Sequence, residues 1–226
     1  MVSYERVGAA ALITIDRPER RNAVDGPTAD ALQESYERFA ADEAARVLVL
    51  TGAGELAFCA GADLKALETL DDRLENPAGP LGFTRLTSPK PTIAAISGWC
   101  LAGGLELALW CDLRVATETA RLGFTERRFG VPLIDGGTQR LPRIVGMGRA
   151  LDLILSGRVV DVAEALQIGL VNEVVAPGEH MRRALAMAEG IAAFPQETML
   201  SDRRAALEGA RRFAGGEGRG GRGTGV

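Results

Sequence analysis

Along the chain, hydrophobic positions first gather into two short runs, at about 2–7 and 10–15, that predict strands. A polar turn, "DRPERRNAVDG", follows, and then a helix within "PTADALQESYERFAADEAA". In that helix Pro27 suits the first turn, and Leu32, Tyr36, Phe39 and Ala40 form an apolar stripe at helical spacing. "RVLVLTG" predicts a buried strand ending in glycine, and "AGELAFCAGADLKAL" a loop. The acidic, Pro- and Gly-containing stretch from Asp71 to Lys90 reads as a mobile surface segment. "PTIAAISG" predicts another strand, stopped by Gly98, and "WCLAGGLELALWCD" a helix initiated by glycine. Strands are expected near 112–117 and 121–125. Helices are expected near 137–156 with interruptions at Pro142 and Gly146, then at 161–167, 178–193 and 195–209, with the strand "LVNEVV" between two of them. Short strands fill the first half and helices the second, in strand-strand-helix units, which favours a mixed α/β fold.

Composition narrows the function. The 226 residues fit one globular domain, and 46% apolar content is enough for a core. A formal net charge of −4 argues against a general nucleic-acid binder, whose affinity comes from a dense basic surface. No apolar run approaches the roughly 18–20 residues of a membrane span, and the N-terminus starts at once on a strand signal with no leader-like segment. The expectation is a soluble, cytoplasmic protein. Cys59, Cys100 and Cys111 are odd in number and lack C-x-x-C spacing, so they read as small core residues and no metal site is expected. The single histidine, His180, lies in loop-like "APGEHMRR" and reads as a surface residue.

Glu106 is the anomaly of the apolar stretch 99–112. If residues 104–111 are helical, Ala102, Gly103, Leu109 and Trp110 share its face. Burying an ionised carboxylate there costs several kcal/mol, roughly, unless it is paired or its pKa rises. Two glycine-rich turns flank the question, "FCAGADLK" (58–65) and "CLAGGLELA" (100–108). Such turns let backbone N–H groups face a ligand, and two amides converging on one oxygen make an oxyanion hole. Tight turns selected for packing alone would read the same way. A second carboxylate, Glu126 in "RLGFTERRFGVPL", follows beyond a returning strand; it could join Glu106 as acid or base, or pair at the surface with Arg127 or Arg128.

Five segments in order, "ITIDRPERRNAV", "FCAGADLK", "AGGLELALWCDLRVA", "FTERRFGVPLIDGGTQRLPRIVG" and "LILSGRVVDVAEALQIGLVNEVV", resemble the successive signatures of the enoyl-CoA hydratase/isomerase (crotonase) family. The resemblance covers roughly residues 10–175. It implies a spiral of strand-strand-helix repeats over 1–175, a helical C-terminal region over 176–209, and a Gly/Arg-rich tail at 210–226 expected to be disordered. It further implies a coenzyme A thioester as substrate with no resident cofactor, and a homo-trimer or dimer of trimers. By position, the amides of Ala62 and Gly103 would bind the thioester oxygen. Glu106 would activate a water for attack on the β-carbon and Glu126 would deliver the α-proton. Water and the second carboxylate would then be the partners of Glu106, with a raised pKa for one of the pair. Coenzyme A would lie along Ala60, Ala62, Asp63 and Leu64 and the turn holding Ala23, with Arg21 and Lys65 at its phosphates. Gly103, Gly104, Gly130 and Pro132 would complete the substrate site. The resemblance implies enoyl-CoA hydration; a Δ3-Δ2 enoyl-CoA isomerase, another thioester enzyme of the family, or an inactive acyl-CoA binder is the alternative.

Two features depart from the pattern. Asp135 stands where many hydratases carry a small residue, and reads either as a third acid reaching the pocket or as a cap on the helix beginning near Gly137. At the end of the chain, a few tens of residues found in relatives are expected to be missing, which bears on pocket closure and oligomerisation. The tail motif Gly216-x-Gly218-x-x-Gly221 follows no strand and opens no helix, so a dinucleotide fingerprint is rejected.

Overall fold

A computed structural model describes residues 1–214. The chain begins with an antiparallel hairpin, β1 (Val2–Val7) and β2 (Ala10–Ile15). Helix α1 (Gly26–Ala41) follows, its N-terminus capped by Asp25, which accepts from the Thr28 amide at 3.0 Å. The predicted stripe is buried inward through Leu32, Tyr36 and Phe39.

From there the chain repeats one pattern three times. A strand enters a large sheet, the next strand enters a small sheet, and a turn or helix begins at its end. The pairs are β3 (Val47–Gly52) with β4 (Ala57–Cys59), β5 (Thr92–Ile96) with β6 (Trp99–Leu101), and β7 (Leu113–Thr117) with β8 (Arg121–Gly123). After β6 comes α2 (Gly103–Trp110). Beyond β8 the chain continues through α3 (Gly137–Val145), α4 (Met147–Ser156), β9 (Val159–Asp161), α5 (Val162–Gln167), β10 (Glu173–Val175) and α6 (His180–Ala192). The large sheet has the order β1-β2-β3-β5-β7-β10, parallel except for its first pair; the small sheet has the order β4-β6-β8-β9, parallel except for its last. This is the expected strand-strand-helix spiral.

Alternation along the large-sheet strands separates two cores. Leu48, Leu50, Ala94, Ile96 and Ala116 face the main core with α1 and α2. Val47, Val49, Ile93, Ala95 and Val115 face Ala184, Ala188 and Ala192, a stripe of small residues four apart on α6. Thus α6, which the sequence reading groups with the C-terminal helices, packs on the sheet inside a compact unit spanning Met1–Ala192. A second unit starts at Ala193 and contains α7 (Gln196–Ala214). Helix α7 takes in residues 210–214 of the expected tail, and the tail motif at 216–221 lies outside the described residues.

Several expectations are corrected. β4, β6 and β9 have three residues each, too few to show a period, so the sequence predicts a loop at the first and part of a helix at the second. Pro142 lies within α3, and only Gly146 breaks the helical stretch. The segment 71–90 is not a surface excursion, because Arg73, Ala78, Leu81, Phe83 and Thr84 are all buried. His180 is also buried, at 5% exposure, as the first residue of α6. Its Nδ1 has no hydrogen-bond partner among the described residues, and burial lowers its pKa. The three cysteines are buried and unpaired, as expected. None of the described helices is long and apolar enough to cross a membrane.

Candidate active site

Because β4, β6 and β8 run parallel, the chain segments that leave their C-terminal ends come together, the usual place for a ligand crevice in a parallel sheet. The turn at 60–66 leaves β4, α2 leaves β6, and a short 3-10 turn, Thr125–Arg128, leaves β8. Ala62, Glu106 and Glu126 are carried there by these three successive repeats. All three line a cavity of about 360 Å³.

The first two turns abut. A Cβ on Gly61, whose φ is +90°, would stand 2.8 Å from the Gly103 nitrogen, and one on Gly103 would stand 3.8 Å from the Ala62 nitrogen. A side chain on Gly104 would collide with the Cys59 carbonyl. Ala102, the residue before α2, takes φ +55° despite its Cβ, a strained conformation held by the surrounding packing. Among the described residues, neither the Ala62 nor the Gly103 amide donates a hydrogen bond within the protein.

The first turn is fixed from below. Ala60 N–H donates to Arg21 O at 3.1 Å, Val24 N–H to Gly61 O at 2.8 Å and Asp63 N–H to Val24 O at 2.8 Å. Arg17 Nη2 bridges Asp25 at 2.8 Å and Asp63 at 3.2 Å, while its Nη1 donates to Ala23 O at 2.5 Å. Asn22, fully buried, donates to the carbonyls of Ala53 and Ala57.

Glu106 is 2% exposed, and its partners are main-chain groups: Oε1 accepts from the amides of Asp135 at 3.1 Å and Gly137 at 2.7 Å. The residue before α3, Gly136, offers no side-chain cap, so Glu106 receives the N-terminus of that helix from across the core. Burial raises its pKa most, to about 8; the charges of Asp135 and Glu126 add to the rise and the two amides oppose it. Glu126 is 7% exposed, and neither carboxylate oxygen has a hydrogen-bond partner among the described residues. Burial lifts its pKa to about 7, against the lowering charge of Arg127. Both acids are therefore raised, where the sequence reading expected one, and Glu126 is not a surface acid.

Asp135, 3% exposed, also lines the cavity, and burial raises its pKa. It does not cap α3. Its Oδ1 accepts from the Leu81 amide at 3.1 Å and from the Thr84 hydroxyl.

The cavity also takes in Ala60, Leu64, Gly130 and Pro132 from the expected set. Arg21, Ala23, Asp63, Lys65 and Gly104 do not line it. Arg21 and Lys65 are exposed, Ala23 and Gly104 are buried, and the Asp63 carboxylate is taken by Arg17 and by the Lys65 amide. The sequence reading missed the apolar lining: Leu67, Leu70 and Leu74, then Pro80 and Leu81, and Phe129, Val131 and Ile134. The three-and-four spacing of Leu67, Leu70 and Leu74 was the available signal, hidden within an acidic stretch. No cluster of potential metal ligands exists among the described residues.

A parallel-strand spiral thus carries two abutting turns and three buried acids, Glu106, Glu126 and Asp135, to one largely apolar cavity of a mixed α/β protein. The chain belongs to the enoyl-CoA hydratase/isomerase family, whose model matches residues 5–206. It is 45% identical to a probable enoyl-CoA hydratase of Rhizobium meliloti over 85% of this chain and 77% of that protein. It is 41% identical to a short-chain-enoyl-CoA hydratase of Clostridium acetobutylicum, over 84% of this chain and 74% of the relative. Among solved structures, an enoyl-CoA hydratase from Mycobacterium marinum superposes with a TM-score of 0.87 at 37% identity, covering 92% of this chain and 82% of that one.

Proposed function

We propose that the protein is an enoyl-CoA hydratase that adds water across the 2,3 double bond of an enoyl-CoA thioester. The observation that carries this reading is the pair of buried carboxylates, Glu106 and Glu126, in one apolar cavity beside two amides without internal partners. Hydration needs both a base for water and an acid for the α-carbon. A shift of the double bond needs only one such group.

In this reading the Ala62 and Gly103 amides receive the thioester oxygen, where negative charge grows as the β-carbon is attacked. Loss of one donor from such a hole costs about 3–4 kcal/mol of transition-state stabilisation. Glu106, whose Oε1 accepts from two N–H groups that oppose the burial-driven rise of its pKa, acts in its ionised form and takes a proton from water through its other oxygen. Glu126, with no donor on either oxygen, carries the proton that goes to the α-carbon. The water O–H bond breaks, oxygen bonds the β-carbon, and the pair holds one proton before and after. No resident cofactor takes part. Arg21 and Lys65 on the surface would meet the phosphates of coenzyme A directly, whereas Asp63 and Gly104 behind the turns would serve it only as turn supports. The family relationship also supports a homo-trimer or dimer of trimers, to be checked by light scattering, and a cytoplasmic setting.

The test is a spectrophotometric assay on crotonyl-CoA, in which loss of the conjugated thioester absorbance is expected. Conversion of a 3-enoyl-CoA with no such loss would make the protein an isomerase. Binding of either ester without turnover would make it an acyl-CoA binder.

A further inference from the structure

Residues 79–84 form one wall of the cavity through Pro80 and Leu81, and have no helix or strand of their own. Two cations and one acid tether them. On one side Arg73, itself 7% exposed, donates Nε to Pro80 O at 3.1 Å and Nη2 to Gly79 O at 3.4 Å. Its guanidinium also holds Asp30 and Gln33 of α1. On the other side Asp135 Oδ1 takes the Leu81 amide and the Thr84 hydroxyl, while Arg140 donates to Asp135 O at 2.7 Å and to Thr84 O.

These two tethers are unequal in what they reach. The Arg73 side ends on α1, far from the acids in sequence and role. Asp135 also gives its own N–H to Glu106 Oε1 at 3.1 Å. One residue therefore holds the pocket wall with its side chain and the candidate base with its main chain. The wall in turn touches the paired turns, because a Cβ on Gly103 would meet Leu81 Cδ1 at 2.5 Å.

We propose that Asp135 is a positioning residue that fixes the Leu81 wall relative to Glu106, so that the acyl chain is held at one depth beside the carboxylate. This inference rests on the hydratase reading. A packing residue would be apolar here. An acid 3% exposed beside two other acids is retained because it satisfies two donors of a segment whose other tethers, Arg73 and Arg140, reach only its carbonyls. A side chain that accepts both bonds should serve nearly as well, and one that accepts neither should not.

The experiment compares wild type, Asp135→Asn, Asp135→Ala and Thr84→Val on crotonyl-CoA and on a ten-carbon 2-enoyl-CoA, with kcat and KM measured separately. Asparagine keeps an acceptor oxygen, so kcat on crotonyl-CoA is expected within about threefold of wild type. Asp135→Ala is expected to lower kcat about tenfold to a hundredfold with KM little changed, since misplacement of the reacting atoms, not loss of coenzyme A binding, is the defect. It should also raise the relative use of the longer ester. Thr84→Val should act in the same direction, more weakly. Independent of turnover, hydrogen exchange at the Leu81 amide should quicken in Asp135→Ala and stay slow in Asp135→Asn.

An active wild type with Asp135→Ala and Thr84→Val unchanged in kcat and chain-length preference overturns the proposal. So does Asp135→Asn as impaired as alanine, which would assign the effect to charge. Unchanged Leu81 exchange in Asp135→Ala overturns it even if no activity is found, whereas an inactive wild type overturns only the hydratase reading. If alanine fails to fold, Thr84→Val and Asp135→Asn decide.

Discussion

The amide of Gly137 donates a 2.7 Å hydrogen bond to Oε1 of Glu106, thirty-one residues earlier in the chain. The acid that interrupts an apolar helix thereby doubles as the receptor for the N-terminus of α3, and its structural and chemical roles can be separated by substitution.

Glu106→Gln keeps an acceptor for both amides and is expected to fold normally while kcat falls about a hundredfold to ten-thousandfold. Glu106→Ala leaves the Asp135 and Gly137 N–H groups unpaired and should be less stable than Glu106→Gln by about 1–3 kcal/mol. Urea denaturation of the two variants, alongside the crotonyl-CoA assay, measures both effects.

Stability should depend on pH through the same pair. Folding raises Glu106 from 4.5 to about 8 and Glu126 from 4.5 to about 7, so the folded protein retains protons that the unfolded chain has released. Their stabilising contribution is fully present below about pH 4.5 and is lost as pH rises through 7 and 8. The double variant Glu106→Gln/Glu126→Gln lacks this loss. Its melting temperature relative to wild type should climb between pH 5 and 8 and then level off, as scanning calorimetry would report. A flat difference across that range would contradict the buried, raised acids.

Two helical glycines should respond oppositely to alanine, according to what the added methyl meets. Gly104→Ala drives a methyl into the Cys59 carbonyl and should leave little folded protein, because main chain cannot move aside. Gly148→Ala meets nothing in α4 and should stabilise by about 0.5–1 kcal/mol. Soluble yield and thermal melts of the two variants are the measurement.

Arg17 supports the turn that carries Ala62. Arg17→Met leaves Asp25 and Asp63 facing each other without their shared cation, and should cost about 3–5 kcal/mol, as for a buried pair that loses one partner. Arg17→Lys should not restore it, since one ammonium cannot reach two carboxylates and the Ala23 carbonyl in the same geometry. Chemical denaturation of both variants would check this, with kcat/KM expected to fall in parallel.

Legibility in the sequence followed the length of the signal. The apolar stripe of α1 and the continuous apolar run of β3 span enough positions to be legible, and each folds as expected; α6 is a helix as expected, but its alanine face on the sheet shows only in the structure. Three-residue β4 and β6 show none, although the paired turns at their ends, at Gly61 and Gly103, were visible from glycine content. The wall at 79–84 was misread as surface because its buried state depends on Arg73 and Asp135, whose partners lie elsewhere in the chain.

By itself the sequence determined the order of the longer strands and helices, the two glycine turns, and the oddity of Glu106 among apolar neighbours. These are local facts, set by side-chain period and backbone sterics within a few residues. Only the tertiary structure decided that Glu126 is buried, that Glu106 bonds main-chain amides, and that Asp135 reaches Leu81 and Thr84. Those pairings join residues twenty-nine to fifty-four positions apart, and no periodicity records them; they exist only once parallel strands bring successive repeats side by side.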